Sequence, residues 1–253
     1  MTVPVRPPTA ASSPLAPLLD LRDVPTALDT ARAAVDASLR HRALRRSGGP
    51  LAAEIGLRSA VASAALEGHA FATDEVRAGT VTDPVVQGAL RVSAALDALA
   101  PRWTSAPRQV LAKLHLLAAR DAVPDADLGR PTGGEEVLRR LDVLCTVVTA
   151  PAGVPALLRA AVVHGELLAI RPFAGPCGVV ARAAARLTLI ADGLDPRGLI
   201  APDLGHLARE PEYVGAANAF STGTADGLRA WIKHCATAVE VAARDLSALA
   251  DAV

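Results

Sequence analysis

The residues best suited to bind a ligand or take part in a reaction lie in one short stretch between two apolar segments. Residues 171–182 read Arg-Pro-Phe-Ala-Gly-Pro-Cys-Gly-Val-Val-Ala-Arg. The second apolar segment predicts a helix that begins near Gly178, so its first turn presents unpaired backbone N–H groups and the positive end of a helix dipole. A helix start of this kind favours an anion. Because Arg171 and Arg182 flank it, the stretch predicts a site for a phosphate group.

The same stretch resembles a nucleotide-transfer motif. Members of the Fic (Fido) family have an apolar helix ending in His-x-Phe, then an acid, Gly-Asn-Gly-Arg, two free positions and a closing Arg. In this sequence Phe173, Gly178 and Arg182 match that pattern. The other positions differ, with Arg171 at the His, Gly175 at the acid, Pro176 at the next Gly, Cys177 at the Asn and Val179 at the first phosphate-binding Arg. The resemblance covers about residues 50–240 and implies the helical fold of the family.

An upstream segment resembles the inhibitory helix of the family, whose signature is Ser or Thr, three residues, Glu, and then Gly or Asn. Ser63, Glu67 and Gly68 occupy those positions. The resemblance implies that Glu67 pairs with Arg182. Two interpretations stay open, namely a retained autoinhibitory latch or a partly buried ion pair that serves the fold. The structural interpretation rests on the cost of losing the pair, because removing one partner leaves the other charge buried without compensation.

The departures from the motif remove the groups that the resemblance would assign to catalysis. Arg171 has no acceptor atom and stays protonated, whereas a general base contributes about 10²- to 10⁴-fold to a rate. Gly175 has no carboxylate for magnesium, Pro176 has no N–H and Val179 has no charge. We therefore expect a degenerate Fic-like protein that is inactive as an AMP transferase and acts by binding a ligand or an unidentified protein partner. No cofactor is expected, and ATP or another phosphorylated ligand would bind without magnesium.

Two other functions stay open. One is a divergent transferase of nucleotidyl or phosphate groups to protein hydroxyls, in which Arg171 and Arg182 hold the anion and Cys177 or a water is the base. A cysteine just before a helix start is expected to have a lowered thiol pKa. The other function is a DNA-contacting regulator, which depends on a basic cluster at the end of the first helix, formed by Arg40, His41, Arg42, Arg45 and Arg46. A solvated face that complements the helix dipole is the favoured explanation of that cluster.

Several of these residues also have purely structural interpretations. Arg171 is either a new anion ligand or a cap for the last carbonyls of its own helix. Phe173 is expected to fill the core below the loop. His164 begins a His-x-Glu that, with Pro176-Cys177, resembles half of a zinc deaminase signature, but the required second cysteine is missing. His164 is therefore expected to be a hydrogen-bonded helix residue, and no metal site is predicted.

Composition predicts one helical domain. The chain has 253 residues, of which 51% are hydrophobic and 2% aromatic, and alanine is abundant. This composition favours helices and disfavours a β-rich core. Because Lys plus Arg and Asp plus Glu are both 26, no overall field attracts nucleic acid or acidic lipid. Three widely spaced cysteines indicate reduced thiols in a cytoplasmic protein, and no apolar run reaches the length of a membrane span.

Apolar spacing, together with proline at helix starts and glycine at helix ends, predicts eight helices. They are expected at residues 24–44, 51–66, 84–99, 107–119, 135–149, 155–170, 178–191 and 227–249. Residues 1–19 are rich in proline and are predicted to be a flexible tail, and the helical domain is expected to span residues 20–253. The sequence gives no indication of the oligomeric state.

Overall fold

A computed structural model describes residues 13–45 and 48–252. In these ranges the chain forms eleven α-helices and no β-strand. The helices are α1 (Val24–Leu39), α2 (Gly48–Ala65), α3 (Thr73–Arg77), α4 (Pro84–Trp103), α5 (Pro107–Ala119), α6 (Glu135–Thr149), α7 (Ala156–Ile170), α8 (Cys177–Ala191), α9 (Pro202–Ala208), α10 (Glu210–Ser221) and α11 (Ala225–Asp251). Within the described ranges, no helix is both long enough and apolar enough to cross a membrane.

The predicted helices are present, and the largest errors are at their ends. Five of the eight, now α5, α6, α7, α8 and α11, begin and end within two residues of the predicted bounds. Helix α1 ends at Leu39 rather than residue 44, and a 3-10 helix follows at Arg42–Arg45. Helix α2 begins at Gly48, because Pro50 is accommodated in its first turn instead of breaking the chain. The short helices α3, α9 and α10 were not predicted.

Part of the predicted tail belongs to the fold. Residues Ala16–Asp20 form a 3-10 helix, and the partly buried Leu18 and Leu19 pack against the core that contains α1 and α11. The described structure therefore includes a helical turn before residue 20, where the domain was predicted to begin. The rest of that prediction, residues 1–12, lies outside the described residues.

Helix α8 is the central element of the fold. Its residues Cys177–Leu189 are all buried, and many are alanine or valine, whose small side chains allow neighbouring helices to approach closely. Around α8 lie two apolar cores, one containing Trp103 and Leu187 and the other Trp231 and Leu158. Any charged side chain on α8 must therefore find its partners inside the protein.

Candidate functional site

Arg182 is the most completely bonded charged group on α8. Its Nε donates to Ser63 Oγ and its Nη2 to Ser63 O, both at 2.8 Å. Nη2 also donates to Glu67 Oε1 at 2.8 Å, and Nη1 donates to Tyr213 OH at 3.1 Å. Only 2% of the Arg182 side chain is exposed. Burial alone would lower its pKa, but the oxygens of Tyr213, Glu67 and the nearby Asp203 outweigh burial and raise the pKa.

The predicted meeting of Glu67 and Arg182 is confirmed by this geometry. Helix α2 ends at Ala65, and Gly68 adopts a φ of +89°, a left-handed conformation that glycine adopts easily at the end of a helix. The N–H of Gly68 donates to Ala65 O at 2.8 Å, and the N–H of His69 donates to Ala64 O at 3.0 Å. This turn places Glu67 against α8.

Gly178 allows that close approach. A Cβ atom added at Gly178 would lie 2.0 Å from Glu67 Oε1, which is far below any van der Waals distance. The carboxylate of Glu67 therefore packs directly on the first turn of α8, where the helix dipole favours a negative charge. Glu67 occupies the position that the sequence predicts for a bound anion.

The network around Arg182 continues through residues that the sequence did not identify. Asp203 Oδ1 lies 3.7 Å from Arg182 Nε, and Ser59 Oγ donates to Asp203 Oδ2 at 2.9 Å. Arg186, one turn after Arg182, donates from Nη1 to Ser59 Oγ at 2.8 Å. The two buried arginines thus face two carboxylates, those of Glu67 and Asp203. Asp203 comes from the unpredicted α9, so no periodic pattern indicated its position.

Arg171 has a different environment. Its backbone has a φ of +42° and closes α7, with its N–H donating to Leu167 O at 3.0 Å. The side chain is exposed and makes no hydrogen bond or ion pair with any described residue. The suggestion that the Arg171 guanidinium caps the carbonyls of its own helix is therefore wrong, because the backbone N–H performs that role. The guanidinium can still bind an anion.

The motif loop, residues 171–176, is fixed by contacts with α5 and with the segment that follows it. Phe173 is buried, as predicted, and stacks on His115 with ring centroids 4.7 Å apart. His115 accepts from the N–H of Gly129 through Nδ1 at 3.0 Å, so its Nε2 donates to Ala174 O at 2.9 Å. The N–H of Thr132 donates to Pro172 O at 2.7 Å. These contacts fix the loop backbone on α5 and on the segment that follows it.

Two motif positions cannot provide the expected chemistry. Gly175 has a φ of +68°, and a Cβ atom there would lie 2.7 Å from Val123 Cγ1, so a larger residue at this position would be strained. Cys177 is buried, and burial raises the pKa of its thiol to about 11. The prediction of a lowered thiol pKa is wrong, because the loss of solvation outweighs the effects of nearby Arg171 and Arg182. At neutral pH Cys177 is a protonated core residue.

Two clefts open on either side of Glu67 and Arg171. The first, which we call the loop cleft, has a volume of about 540 Å³. It is lined by Glu67, His69, Pro84, Val85, Asp121, Ala122, Arg171, Gly175 and Pro176. The second, the Arg182 cleft, has a volume of about 490 Å³ and includes Arg171, Arg182, Tyr213 and Asn218 among its lining residues. Arg171 and Arg182 therefore share one cleft, as predicted, whereas the buried Gly178 lines neither.

A histidine–aspartate pair in the loop cleft was missed by the sequence analysis. His69 Nδ1 and Asp83 Oδ2 are 2.8 Å apart. Asp83 also caps α4, since its Oδ1 accepts from the N–H groups of Val85 at 2.9 Å and Val86 at 3.0 Å. Burial alone would raise the pKa of Asp83, but these hydrogen bonds and His69 lower it. A carboxylate fixed in this way holds the imidazole with Nδ1 as the donor, which leaves Nε2 as an acceptor.

His164 has the structural role that was predicted for it. It is buried, and its Nε2 lies 3.0 Å from Tyr213 OH. A second buried pair lies beside it, with His206 Nδ1 and His234 Nε2 3.0 Å apart. Burial lowers the pKa of all three imidazoles, that of His234 to about 4. These histidines are neutral at neutral pH, and all three rings pack against Tyr213, the hydrogen-bond partner of Arg182.

Two further kinds of site were considered from the sequence, a metal site and the basic cluster that follows α1. Among the described residues, no group of three or more His, Cys, Asp or Glu side chains is placed to ligate a metal ion. The basic cluster does not lie on the final turns of α1, because that helix ends at Leu39. His41 Nε2 instead lies 3.1 Å from Asp251 Oδ1, and Arg46 lies outside the described residues.

Solved structures of Fic proteins are similar to this one. No family model matches the chain, and no curated protein sequence matches it. A fragment of Fic-1 from C. elegans superposes with a TM-score of 0.74 at 18% identity, covering 94% of this chain and 75% of that chain. A Fic family protein from Desulfovibrio desulfuricans G20 gives a TM-score of 0.70 at 19% identity, covering 97% and 77%. The chain has the all-α Fic (Fido) fold that its motif implied.

Proposed function

We propose that this Fic-fold chain acts by binding, with a phosphate-containing ligand or a protein partner at the motif loop, and that it does not transfer AMP. The observation that carries the proposal is the pair Arg171 and Gly175 at the motif's base and acid positions. A guanidinium cannot accept a proton, and glycine cannot hold magnesium. Cys177, the substitute base that the sequence offered, is a buried thiol whose pKa is raised to about 11.

The contacts of the two arginines indicate where an anion would bind. Arg182 already donates to Ser63, Glu67 and Tyr213, so it is satisfied by the protein. Arg171 is exposed, has no such partner within residues 13–45 and 48–252, and lines both clefts. A phosphate group would therefore contact Arg171 first, and it would compete with the Glu67 carboxylate for the start of α8. Glu67 acts in this proposal as an internal competitor of the ligand.

The absence of AMP transfer is tested with ATP labelled at the α-phosphate. The full chain and its Glu67→Gly variant are incubated with the labelled nucleotide, magnesium and a cell lysate, with an active Fic protein as the positive control. We expect no label on the chain or on lysate proteins in either case. Label that increases in Glu67→Gly and disappears in Arg171→Ala would refute the proposal.

Binding is tested by titrating pyrophosphate at constant ionic strength, with and without magnesium. One charge-assisted contact contributes about 1.5 to 3 kcal/mol, so Arg171→Ala should weaken binding at the loop cleft at least about tenfold. Glu67→Gln, which removes the competing charge, should strengthen it. Tight binding of ATP that requires magnesium would contradict the loss of the acid at Gly175.

A second candidate function, a divergent transferase of nucleotidyl or phosphate groups to protein hydroxyls, is favoured by the His69–Asp83 pair. Nε2 of His69 could accept the hydroxyl proton as the hydroxyl oxygen bonds to the α-phosphorus of ATP and the bond to the departing pyrophosphate breaks, while Arg171 holds the phosphate oxygens. The test is label transfer from ATP to protein that is lost in His69→Gln. His41→Gln is the matched control, because it alters another His–Asp pair outside both clefts. Equal transfer in both variants, or none in the unmodified chain, eliminates this candidate.

A further inference from the structure

A third cleft lies between α10 and α11, on the opposite side of α10 from the Arg182 cleft. Its volume is about 540 Å³, which is within the size range of small-molecule sites. It shares no lining residue with the loop cleft or the Arg182 cleft. We call it the basic cleft, because three cations, Arg209, Arg229 and Lys233, line it together with a single acid, Glu212. Their formal charges sum to about +2 in a chain whose total charges balance.

Each cation of the basic cleft has a carboxylate partner. Arg209 is held by Glu212 of the same cleft, since its Nε donates to Glu212 Oε2 at 3.0 Å and its Nη2 contacts the same oxygen. The partners of the other two cations are more exposed or more distant. Arg229 Nη2 lies 3.2 Å from Asp226 Oδ1, and the Asp226 side chain is 91% exposed. Lys233 Nζ lies 3.5 Å from Asp23 Oδ2, whose side chain is 52% exposed. Exposed ion pairs of this kind contribute little, because water screens them and both side chains lose freedom. An anion entering the cleft can therefore replace them.

The floor of the basic cleft has space and a spare polar atom. Gly215, Ala216, Ala219 and Ala230 line it, and a methyl group added at Gly215 would meet no atom within 4 Å. His234 also lines the cleft and is only 7% exposed. Its Nε2 contacts His206, whereas its Nδ1 has no hydrogen-bond partner among the described residues. Because this nitrogen is itself buried, a polar group bound in the cleft would reach it only after the lining side chains open toward it.

We propose that the basic cleft is a second binding site, and that it takes a small phosphate ester or diphosphate. The Arg229 guanidinium and the Lys233 ammonium suit a tetrahedral oxyanion, because a guanidinium can donate two parallel hydrogen bonds to phosphate oxygens and an ammonium adds a point charge. Arg209, whose Nε and Nη2 contact Glu212, adds positive charge at the edge of the cleft. The small side chains of the floor leave room for the organic part of the ligand. A concave cleft of this volume suits a small molecule better than the surface of an acidic protein.

The test titrates pyrophosphate at constant ionic strength into the full chain and into Arg171→Ala, in which the loop cleft is disabled. We expect binding to persist in Arg171→Ala. The double change Arg229→Gln and Lys233→Gln in that background should weaken it at least about tenfold. Gly215→Leu should weaken it similarly, because it fills the open space without removing a charge. Arg244→Gln, on the same helix and outside the cleft, is the matched control and should change the Kd less than twofold.

Three results would overturn the proposal. One is the loss of all pyrophosphate binding in Arg171→Ala, which would leave the proposed function intact and assign the only anion site to the loop. Another is an unchanged Kd in both the double variant and Gly215→Leu. The third is binding of an acidic peptide at the basic cleft without binding of pyrophosphate. Thermal unfolding of each variant verifies that it is folded.

Discussion

The two arginines of the motif lie in opposite environments. Arg182 is buried, donates four hydrogen bonds and has two carboxylates nearby. Arg171 lies at the end of the preceding helix, exposed and without a partner among the described residues. A buried charge must be compensated inside the protein, whereas an exposed charge is solvated by water. The fold therefore constrains the residue type at position 182 and leaves position 171 free.

This difference explains why a motif can match in part. Gly178 is required because Glu67 packs against it, and Phe173 is required because it stacks on His115 below the loop. Both positions, like Arg182, match the family pattern and have a structural reason to do so. Among the positions that differ, Arg171 is exposed, so packing does not dictate the residue there and only a catalytic role would. A partial match of this type supports the fold and does not by itself support the activity.

The largest effect is expected for Arg182→Met, which removes the buried charge and keeps much of the apolar volume. Glu67 and Asp203 would then lack their partner, so the free energy of unfolding should fall by about 3 to 5 kcal/mol. Urea denaturation measures this loss. A decrease below about 1 kcal/mol would show that Arg182 is no more constrained than an exposed residue.

A double-mutant cycle on the Glu67–Arg182 pair measures how much of this stability comes from the interaction between the two side chains. Each single change, Glu67→Ala or Arg182→Met, leaves the other member of this pair without its partner, and the double change removes both members. The double variant should therefore lose less stability than the sum of the two, by about 1 kcal/mol or more. Simple additivity would mean that the 2.8 Å contact does not act as a pair in solution.

The stability of the buried network around Arg182 and its neighbouring histidines should also depend on pH. The folded pKa of His234 is lowered to about 4 by burial, below the value near 6.5 of an unfolded histidine. The unfolded chain then binds the proton first, so the stabilising contribution is present above pH 6.5 and is lost as the pH falls toward 4. Between pH 6.5 and 5 the loss is on the order of 1 to 2 kcal/mol.

The His234→Gln variant isolates this contribution from other titrations. It is necessary because burial raises the pKa of Asp195 to about 6, which stabilises the fold as the pH falls through the same range. Thermal unfolding from pH 7 to pH 5 should show a smaller loss of stability in His234→Gln than in the unmodified chain. His69→Gln, at the partly exposed pair of the loop cleft, serves as the control. An identical pH dependence in all three proteins would contradict the prediction.

A smaller effect is expected for Gly178→Ala. The added methyl group would collide with Glu67 Oε1, and overpacking of this kind costs about 1 to 3 kcal/mol. In a Glu67→Gly background the additional cost of Gly178→Ala should largely disappear, because the colliding group is absent. Gly175→Ala is the matched control, since its strain comes from its own φ of +68° and from Val123, and its cost should be the same in both backgrounds. Denaturant midpoints of the three glycine forms (unmodified, Gly178→Ala and Gly175→Ala), each with and without Glu67→Gly, measure both effects.

Long periodic helices and motif positions could be predicted from the sequence. The bounds of α5 and α6 were predicted correctly, because proline or acidic residues mark their starts and the apolar spacing continues to their ends. The Glu67–Arg182 contact was also predicted, but only through the family resemblance, since no local pattern joins residues so distant in the chain. The helical fold is therefore recoverable from local signals, and the pairing is not.

The parts that were missed depend on tertiary contacts. Helix α10 buries only Tyr213 and Phe220, so it has no apolar stripe, and yet Tyr213 bonds both Arg182 and His164. The pKa of Cys177 was predicted in the wrong direction because its burial is set by the packing of α8 in the core. The His69–Asp83 pair had no sequence signal beyond its residue types, since its geometry depends on the turn after α2 and the cap of α4.

The smallest effect on stability is expected for Arg171→Ala. The side chain is exposed and lacks described partners, so the free energy of unfolding should change by less than about 0.5 kcal/mol. The same change should weaken pyrophosphate binding at the loop cleft at least about tenfold, because Arg171 is the only arginine or lysine among the residues that line it. Arg32→Ala, which removes a comparably exposed arginine from α1, is the control and should change neither quantity. A loss above 1 kcal/mol in Arg171→Ala would show that position 171 is constrained by the fold after all, and the contrast between the two arginines would then disappear.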